Sequence, residues 1–321
     1  DLLLEQPAAQ RNLEWGLLFE QCNQDYAANV DQKENVDRVW AAPGGRLLTL
    51  SIQDELVVRA RPDLNPLHRI PLTNVVGATA AVSPDGAWLA VGRVDGVLQL
   101  FDFQNYGPAQ EFTLTGVSFD SVVFSGDSTL LASGTSEGAL LVWNCSTGAL
   151  IRQIEAHDAA CQVFGMSRSG DLAITSDRGG RTVIWDVTNG HAKQEFIGYG
   201  PTLSEDRERF ALRSGRVIEV RELESGALLF ESSELPDEPR QPVLSPAGRH
   251  VAALVENGVL RVFDVASGRP VATVQDNSLS HILAFSPDSE LIAVAATPHE
   301  IRVYRTKDGG PVTALKGHSS W

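Results

Sequence analysis

The sequence predicts an all-β chain of seven consecutive, like-sized units, each a meander of four antiparallel strands. Three observations carry this: a recurring turn of the Ser-Pro-Asp-Gly type, a nearly constant interval between the turns, and short apolar runs beside them. The turns are Ala42-Pro43-Gly44-Gly45, Ser83-Pro84-Asp85-Gly86, Ser125-Gly126-Asp127-Ser128, Ser167-Arg168-Ser169-Gly170, Ser204-Glu205-Asp206-Arg207, Ser245-Pro246-Ala247-Gly248 and Ser286-Pro287-Asp288-Ser289. Counted from the second residue of each, the intervals are 41, 42, 42, 37, 41 and 41 residues, the period of four-stranded propeller blades. The expected architecture is a seven-bladed β-propeller of four-stranded antiparallel blades over 36–315. An N-terminal linker with an amphipathic helix occupies 1–35, and 316–321 is a tail or the start of a further repeat.

The second unit shows the grammar. It opens with a short apolar strand over Ala78 to Ser83. In the turn that follows, Pro84 presets the backbone and Gly86 tolerates a positive φ. Trp88-Leu89-Ala90-Val91-Gly92 has the length of a buried strand, and Asp95-Gly96 is a tight hairpin signal. Val97 to Asp102 forms the third strand and, beyond the turn at Asn105-Tyr106-Gly107-Pro108, Gln110 to Leu114 forms the fourth. A blade of this kind cannot hide both of its faces, so each must stack on its neighbours. Trp143, Trp185, Phe101, Phe263 and Tyr304 are accordingly expected to pack between blades.

Related strings recur in register: Leu130-Leu131-Ala132-Ser133-Gly134 with Ala139 to Asn144, Thr182-Val183-Ile184-Trp185-Asp186, Val259 to Asp264, and Ile301 to Arg305. Here the chain resembles the WD40 repeat family, whose third strand ends in Trp-Asp and whose second reads Leu-Ala-Ser-Gly. The resemblance runs over about residues 36 to 318 and implies a seven-bladed ring used for interaction. The family often ties His, Ser, Asp and Trp of one blade into a hydrogen-bonded network. In the fourth unit His157 and Trp185 stand at the expected positions, but Gly179 falls at the Asp position unless Asp177 substitutes. In the third, Ser133 and Trp143 match, Glu137 replaces the Asp, and no His is present. The first, second, sixth and seventh units carry Asp54, Asp95, Asn257 and Pro298 at the Asp position, and the fifth has Arg221-Glu222 in place of Trp-Asp. Apolar packing is therefore expected to dominate stability.

The formal net charge is −15, from 41 acidic against 26 basic residues, with no Lys/Arg cluster. That balance disfavours nucleic acid, whose phosphates need concentrated basic charge, and permits a basic partner. The densest acidic stretch, Glu231 to Pro239, reads as an exposed loop. No apolar run approaches the length of a membrane helix, and cytoplasmic placement is slightly favoured for the segment. Cys22, Cys145 and Cys161 lack the spacing of a disulfide framework or zinc knuckle, so they read as small buried hydrophobes.

Residues 7 to 24 break the strand pattern; Trp15, Leu18 and Cys22 recur at helical steps beside Leu17, predicting a helix that packs on the propeller. Asn12 to Cys22 also resembles the linker that precedes WD40 arrays in large bacterial Ser/Thr kinases and related multidomain proteins. Leu13, Phe19 and Glu20 depart from that pattern. The chain begins at Asp1, its single methionine is Met166, and Gly317-His318 looks like the opening of another repeat, so a segment of a larger protein is expected. For the seventh blade two closures are open: Val312 to Leu315 supplies the outer strand, or Tyr26 to Val30 does so by insertion. The first requires no strand exchange.

Catalytic signatures fail on context. Gly134-Thr135-Ser136-Glu137-Gly138 matches the Gly-x-Ser-x-Gly nucleophile elbow, but that motif needs a strand, a strained turn and a helix, and here it lies between two strands. Gly198-Tyr199-Gly200 lacks the further glycine and the helix of a phosphate loop. The seven histidines form no short-spaced pair with each other or with a cysteine, so no metal or cofactor is implied. Loops between blades, and hairpins between second and third strands, gather on one face, where a rigid scaffold usually carries binding. Candidates there are Arg93, Phe119, His157, Asp158, Arg178, Tyr199, His281 and His299, a mix rich in residue types found at hot spots. The reading is a non-enzymatic scaffold or sensor module of a bacterial signalling protein that binds a protein or peptide, with other domains of its own chain as further partners. A propeller enzyme or small-molecule receptor with a site at the channel mouth is the alternative.

Overall fold

The computed structural model describes residues 36–42, 46–51, 55–60, 65–71, 79–93, 95–114, 117–296 and 300–316. These fall into two compact units divided between Ile197 and Gly198. The expected helix at 7–24, the strand at Tyr26 to Val30, His299 and the Gly-His at 317–318 lie outside the described residues.

In the first unit four sheets follow one another, each antiparallel with its strands in chain order. They comprise β1 (Val36–Ala42), β2 (Arg46–Ser51), β3 (Glu55–Ala60) and β4 (Pro66–Pro71); β5 (Thr79–Val82), β6 (Trp88–Gly92), β7 (Val97–Asp102) and β8 (Pro108–Thr113); β9 (Phe119–Phe124), β10 (Leu130–Thr135), β11 (Ala139–Asn144) and β12 (Leu150–Glu155); and β13 (Gln162–Met166), β14 (Leu172–Ser176), β15 (Arg181–Asp186) and β16 (His191–Ile197). The second unit holds three more sheets: β17 (Tyr199–Leu203), β18 (Arg209–Ser214), β19 (Val217–Glu222) and β20 (Leu228–Glu231); β21 (Val243–Leu244), β22 (His250–Val255), β23 (Val259–Asp264) and β24 (Pro270–Gln275); and β25 (Leu279–Phe285), β26 (Leu291–Ala296), β27 (Glu300–Arg305) and β28 (Pro311–Lys316). A 3-10 turn at Glu256–Gly258 joins β22 to β23, and no α-helix occurs among the described residues. The seventh sheet takes β28 as its outer strand, with Ile301 opposite Leu315 and Val303 opposite Thr313. Of the two closures open to the sequence, this is the one without strand exchange.

Burial follows position in the meander. Every residue of β14 is buried, whereas every residue of β16 is exposed or half-buried. Most apolar clusters among the described residues lie between consecutive sheets; one, Ala293, Ile301 and Val303 with Leu291 and Val312, lies within the seventh. Leu48, Leu56, Val58 and Ile70 of the first sheet pack on Ala80, Leu89, Val91 and Phe101 of the second. Ala90, Leu98 and Leu100 of the second meet Leu131, Leu141 and Trp143 of the third. Ala132, Leu140 and Val142 of the third meet Val163, Ala173 and Trp185 of the fourth. In the second unit Val220 and Phe230 join Val251 and Phe263, and Val262 joins Ile292 and Tyr304. The five aromatic residues expected between blades all lie in such clusters.

The turns that set the sequence period share one polar device. Ser83, Ser125, Ser204 and Ser286 donate their hydroxyls to Asp85, Asp127, Asp206 and Asp288 at 2.5 to 2.6 Å. The same oxygen accepts the N–H five residues on, as in Leu130 to Ser125 at 3.0 Å. In the sixth sheet Ala247 stands where the acid would be, and Ser245 keeps only the N–H of His250, at 2.9 Å. Burial pushes the Asp127 carboxyl up, but the hydroxyl of Ser125 and the N–H of Thr129 outweigh it and hold the group below the ordinary aspartate range. Adjacent turns also meet: Asp85 N–H donates to Ser128 Oγ at 3.1 Å, and Asp127 N–H to Arg168 O at 2.8 Å.

A second set of links repeats at residues 68, 110 and 152, which are 42 positions apart. From the outer strand of one sheet each reaches the third turn of the next. Gln110 donates to Ser146 O at 3.3 Å, and Arg152 to Val187 O at 3.0 Å. The turns they meet place Gly148 and Gly190 at positive φ. At the corresponding place in the second sheet Tyr106 adopts φ +58°, a conformation that a bulky side chain occupies only under constraint. Its ring stacks on His68 at 4.5 Å, and its hydroxyl accepts from Arg46 at 3.2 Å. The tyrosine thus fills space that Gln110 and Arg152 fill at the next two junctions.

Ser125→Ala removes a fully buried hydroxyl with two partners, and the expected loss is about 1–3 kcal/mol of stability. Ser245→Ala removes a single contact and is expected to cost less. Urea denaturation midpoints compare them, and equal losses would show that the turn carboxylate adds nothing.

Candidate functional site

In a meander, the hairpin between second and third strands and the connection to the next sheet lie at one end. In the first unit backbone hydrogen bonds knit these loops together. Phe119 N–H donates to Arg93 O at 3.2 Å, Ser136 N–H to Ser118 O at 3.0 Å, and the N–H groups of Ala156 and His157 both to Gly138 O at 3.0 Å. Five of the eight candidates lie along this edge: Arg93, Phe119, His157, Asp158 and Arg178.

They play different parts. Arg93 pairs with Asp95 of its own hairpin, its Nε donating at 3.0 Å and its Nη2 completing a fork. Asp158 and Arg178 are exposed. Phe119, expected on the binding surface, is fully buried. It opens β9 with its ring turned inward, packing edge-on to Trp143 with centroids 6.2 Å apart. A Cβ on Gly92 would sit 2.8 Å from Phe119 Cβ, so the aromatic side chain uses room left by that glycine. Phe119 is thus a packing residue. In the second unit Tyr199 is partly exposed, with the Arg213 guanidinium 5.0 Å from its ring centre, and Arg213 pairs with Glu238 at 3.1 Å. His281 is exposed on β25, opposite Ala295. The acidic loop around Glu234 is fastened as well as exposed: Arg216 Nε donates to Glu234 at 2.9 Å, and Leu235 is buried.

His157 is buried too, and its surroundings resolve an ambiguity of the sequence. Trp185 Nε1 donates to Thr175 Oγ1 at 2.9 Å, and Thr175 Oγ1 lies 2.8 Å from His157 Nε2. An indole nitrogen only donates, so one lone pair of Thr175 is filled and its own proton is free to go to Nε2. That leaves the imidazole proton on Nδ1, which faces Asp177 Oδ2 at 3.5 Å. Asp177, two residues before Gly179, therefore supplies the acid of the network. Its Oδ1 also accepts Arg181 N–H at 2.9 Å. Burial holds the imidazole below the usual histidine range, with Asp177 opposing that shift.

The third and seventh sheets lack this arrangement. In the third, Ser133 Oγ is buried without a hydrogen-bond partner, and aromatic packing of Phe119 on Trp143 stands in for the polar link. In the seventh, Tyr304 hydroxyl lies 3.2 Å from Asp276 Oδ2, which also pairs with Arg302. Asp276 N–H donates to Gly258 O at 3.0 Å, as His157 does to Gly138. A charged cluster at this position is not signalled by any histidine or tryptophan. Its cue is Tyr304 at the aromatic position together with an acid at the start of the unit.

The Gly-x-Ser-x-Gly string is explained by packing. A Cβ on Gly134 would lie 2.0 Å from Cys161 O, and Gly138 has φ +92° with His157 O 2.0 Å from an added Cβ. Ser136 Oγ accepts Ser118 N–H at 3.1 Å and ties the hairpin to the residue that precedes β9. Burial pushes the thiols of Cys145 and Cys161 up to about 12, which keeps them as inert hydrophobes. Among the described residues no three His, Cys, Asp or Glu side chains are grouped to hold a metal ion, and no helix is long and apolar enough to cross a membrane.

This geometry has known counterparts. A computationally designed protein, Ika8, matches with a TM-score of 0.71 at 14% identity, over 90% of this chain and 89% of the other. The β-propeller domain of Cps50 (Swd1) from Myceliophteria thermophila matches with a TM-score of 0.56 at 16% identity, over 76% and 87%. The fold is that of a β-propeller. The family described as WD domain, G-beta repeat matches residues 72–102, which include the second sheet up to the end of β7. Among sequence relatives, Transducin beta-like protein 3 of Bos taurus is 26% identical over 246 residues, covering 74% of this chain and 27% of the relative. Set1 complex component swd1 of Schizosaccharomyces pombe is 27% identical over 108 residues, covering 34% of this chain and 27% of the relative. The chain spans about a quarter of the length of these curated relatives.

Trp185→Phe keeps the packing but removes the indole donor, and is expected to cost about 1–3 kcal/mol. Trp143→Phe, in a sheet without the polar network, is expected to cost less. Thermal and urea denaturation of both variants check the ordering.

Proposed function

We propose that this chain is a non-enzymatic interaction scaffold within a longer protein, its seven sheets the blades of one ring over 36–315. The loop end of the sheets docks a protein or peptide. The observation that carries the reading is the division of labour in the loops. Backbone bonds and buried side chains, His157 and Phe119 among them, fix the loop bases, while Asp158, Arg178, Tyr199 and His281 are left at the surface. A rigid frame presenting varied side chains suits recognition of a partner surface. The WD40 character of the repeats and the greater length of the relatives support a module that works beside other domains. A complex component such as swd1 is consistent with that role. The finer setting, a bacterial signalling protein of kinase type, is carried by Asn12 to Cys22 alone; the relatives named above come from an animal and a yeast.

The test is capture of partners by the intact chain. Asp158→Ala, Arg178→Ala and Tyr199→Ala are expected to weaken capture several-fold, and Leu67→Ala and Ile151→Ala, on outer strands, are expected to leave it unchanged. Equal capture by every loop variant would overturn the loop-face assignment.

A further inference from the structure

The connection between the third and fourth sheets is built around a buried ionisable group. Residues 156–161 run from β12 to β13. Ala156 and His157 donate their N–H groups to Gly138 O, Cys161 N–H donates to Thr135 O at 2.9 Å, and Arg181 Nη1 donates to Ala156 O at 2.8 Å. At its centre the His157 side chain is wholly shielded from solvent. In the neutral ring Trp185 N–H goes to Thr175 Oγ1 and the Thr175 hydroxyl to Nε2, while Nδ1 makes no hydrogen bond and faces Asp177 Oδ2 at 3.5 Å.

A second proton on the ring breaks this order. Nε2 becomes a donor aimed at Thr175 Oγ1, 2.8 Å away, and the threonine hydroxyl must turn elsewhere. One buried neighbour able to receive it is the Cys161 thiol, a weak acceptor. The charge is also desolvated. Facing the ring are Asp177 at the tip of the hairpin between β14 and β15, Arg181 on β15 and Glu195 on β16; Arg181 opposes the cation, and Asp177 and Glu195 favour it. Arg181 and Glu195 are themselves paired at 2.8 Å, which leaves Asp177 as the principal compensating charge.

We propose that residues 156–161 form an acid-released strap, closed while His157 is neutral and opened when the imidazole takes up a proton. Opening frees Gly138 O and Thr135 O on the hairpin of the third sheet and uncovers the Thr175 to Trp185 seam. The loop end of the sheets is thereby altered without unfolding the whole chain. The direction follows from linkage. A histidine whose titration is lowered by folding stabilises the closed form above its unfolded value, and that contribution is lost as the pH falls through the lowered folded value.

Hydrogen exchange of the full chain at pH 7.5 and pH 5.0, corrected for intrinsic rates, tests this. Protection of the amides of Ala156, His157 and Cys161 is expected to fall at least tenfold at the lower pH, with the strands of the second and third sheets unchanged. In His157→Gln, which does not titrate, strap protection is expected to be weaker but equal at both pH values. In Asp177→Asn, which keeps the histidine and loses the charge that compensates the protonated ring in the closed strap, the fall in protection between pH 7.5 and pH 5.0 is expected to be at least as large as in the native chain. Unchanged protection of the native strap, a pH response that survives in His157→Gln, or a smaller fall in protection in Asp177→Asn than in the native chain would each overturn the proposal.

Discussion

Shared burial between consecutive sheets is the constraint on which the structure rests. A four-stranded meander has two faces and too little side-chain volume to cover either. Each face of a middle sheet is therefore closed by a different neighbour: Leu131, Leu141 and Trp143 of the third sheet lean on the second, while Ala132, Leu140 and Val142 lean on the fourth. The alternation of side chains along a strand makes this possible, since successive residues point to opposite faces. Polar contacts refine the arrangement. The Ser to Asp bonds fix the turns, and links such as Gln110 to Ser146 O set one sheet on the next.

Most of the architecture was legible because it repeats. The turn period located all seven sheets, and the aromatic residues expected between them are in shared clusters. The outer strand of the seventh sheet is β28, one of the two alternatives that the residues allowed. What could not be read was the depth of individual side chains near strand ends. Phe119 stands at the edge of β9, and nothing in its immediate sequence says that Gly92 on the preceding sheet leaves space for it. Asp177 replaces the expected acid because the hairpin carries Gly179-Gly180 at its tip, a local shift invisible to spacing alone. Tyr106 at φ +58° is similar: its neighbours look like an ordinary turn, and the His68 ring that holds it belongs to another sheet.

The loop ends of the sheets were legible in the sequence, and the depth of individual loop side chains less so. Topology puts the loops at one end, and that reading needs only the strand order. Which loop side chains are spent inward depends on contacts between repeats. Phe119 and His157 both went to the interior, for different reasons: one fills an apolar gap, the other completes a hydrogen-bonded chain to Trp185. Asp158 and Arg178 in the first unit, and Tyr199 and His281 in the second, remain at the surface. Erosion of the polar network in most repeats fits this picture, since apolar interfaces hold the sheets and a network is an addition where the residues permit it.

The central claim is that no sheet is stable without its neighbours, and the most direct measurement is on one sheet alone. A peptide spanning residues 117–161 contains the whole third sheet with its hairpins and the connection that leads to the fourth. The account predicts no cooperative thermal transition by circular dichroism and no protected amides, because both faces of the sheet would be open to water. A cooperative melt with protected amides in β10 and β11 would contradict it, placing the stability within the single meander.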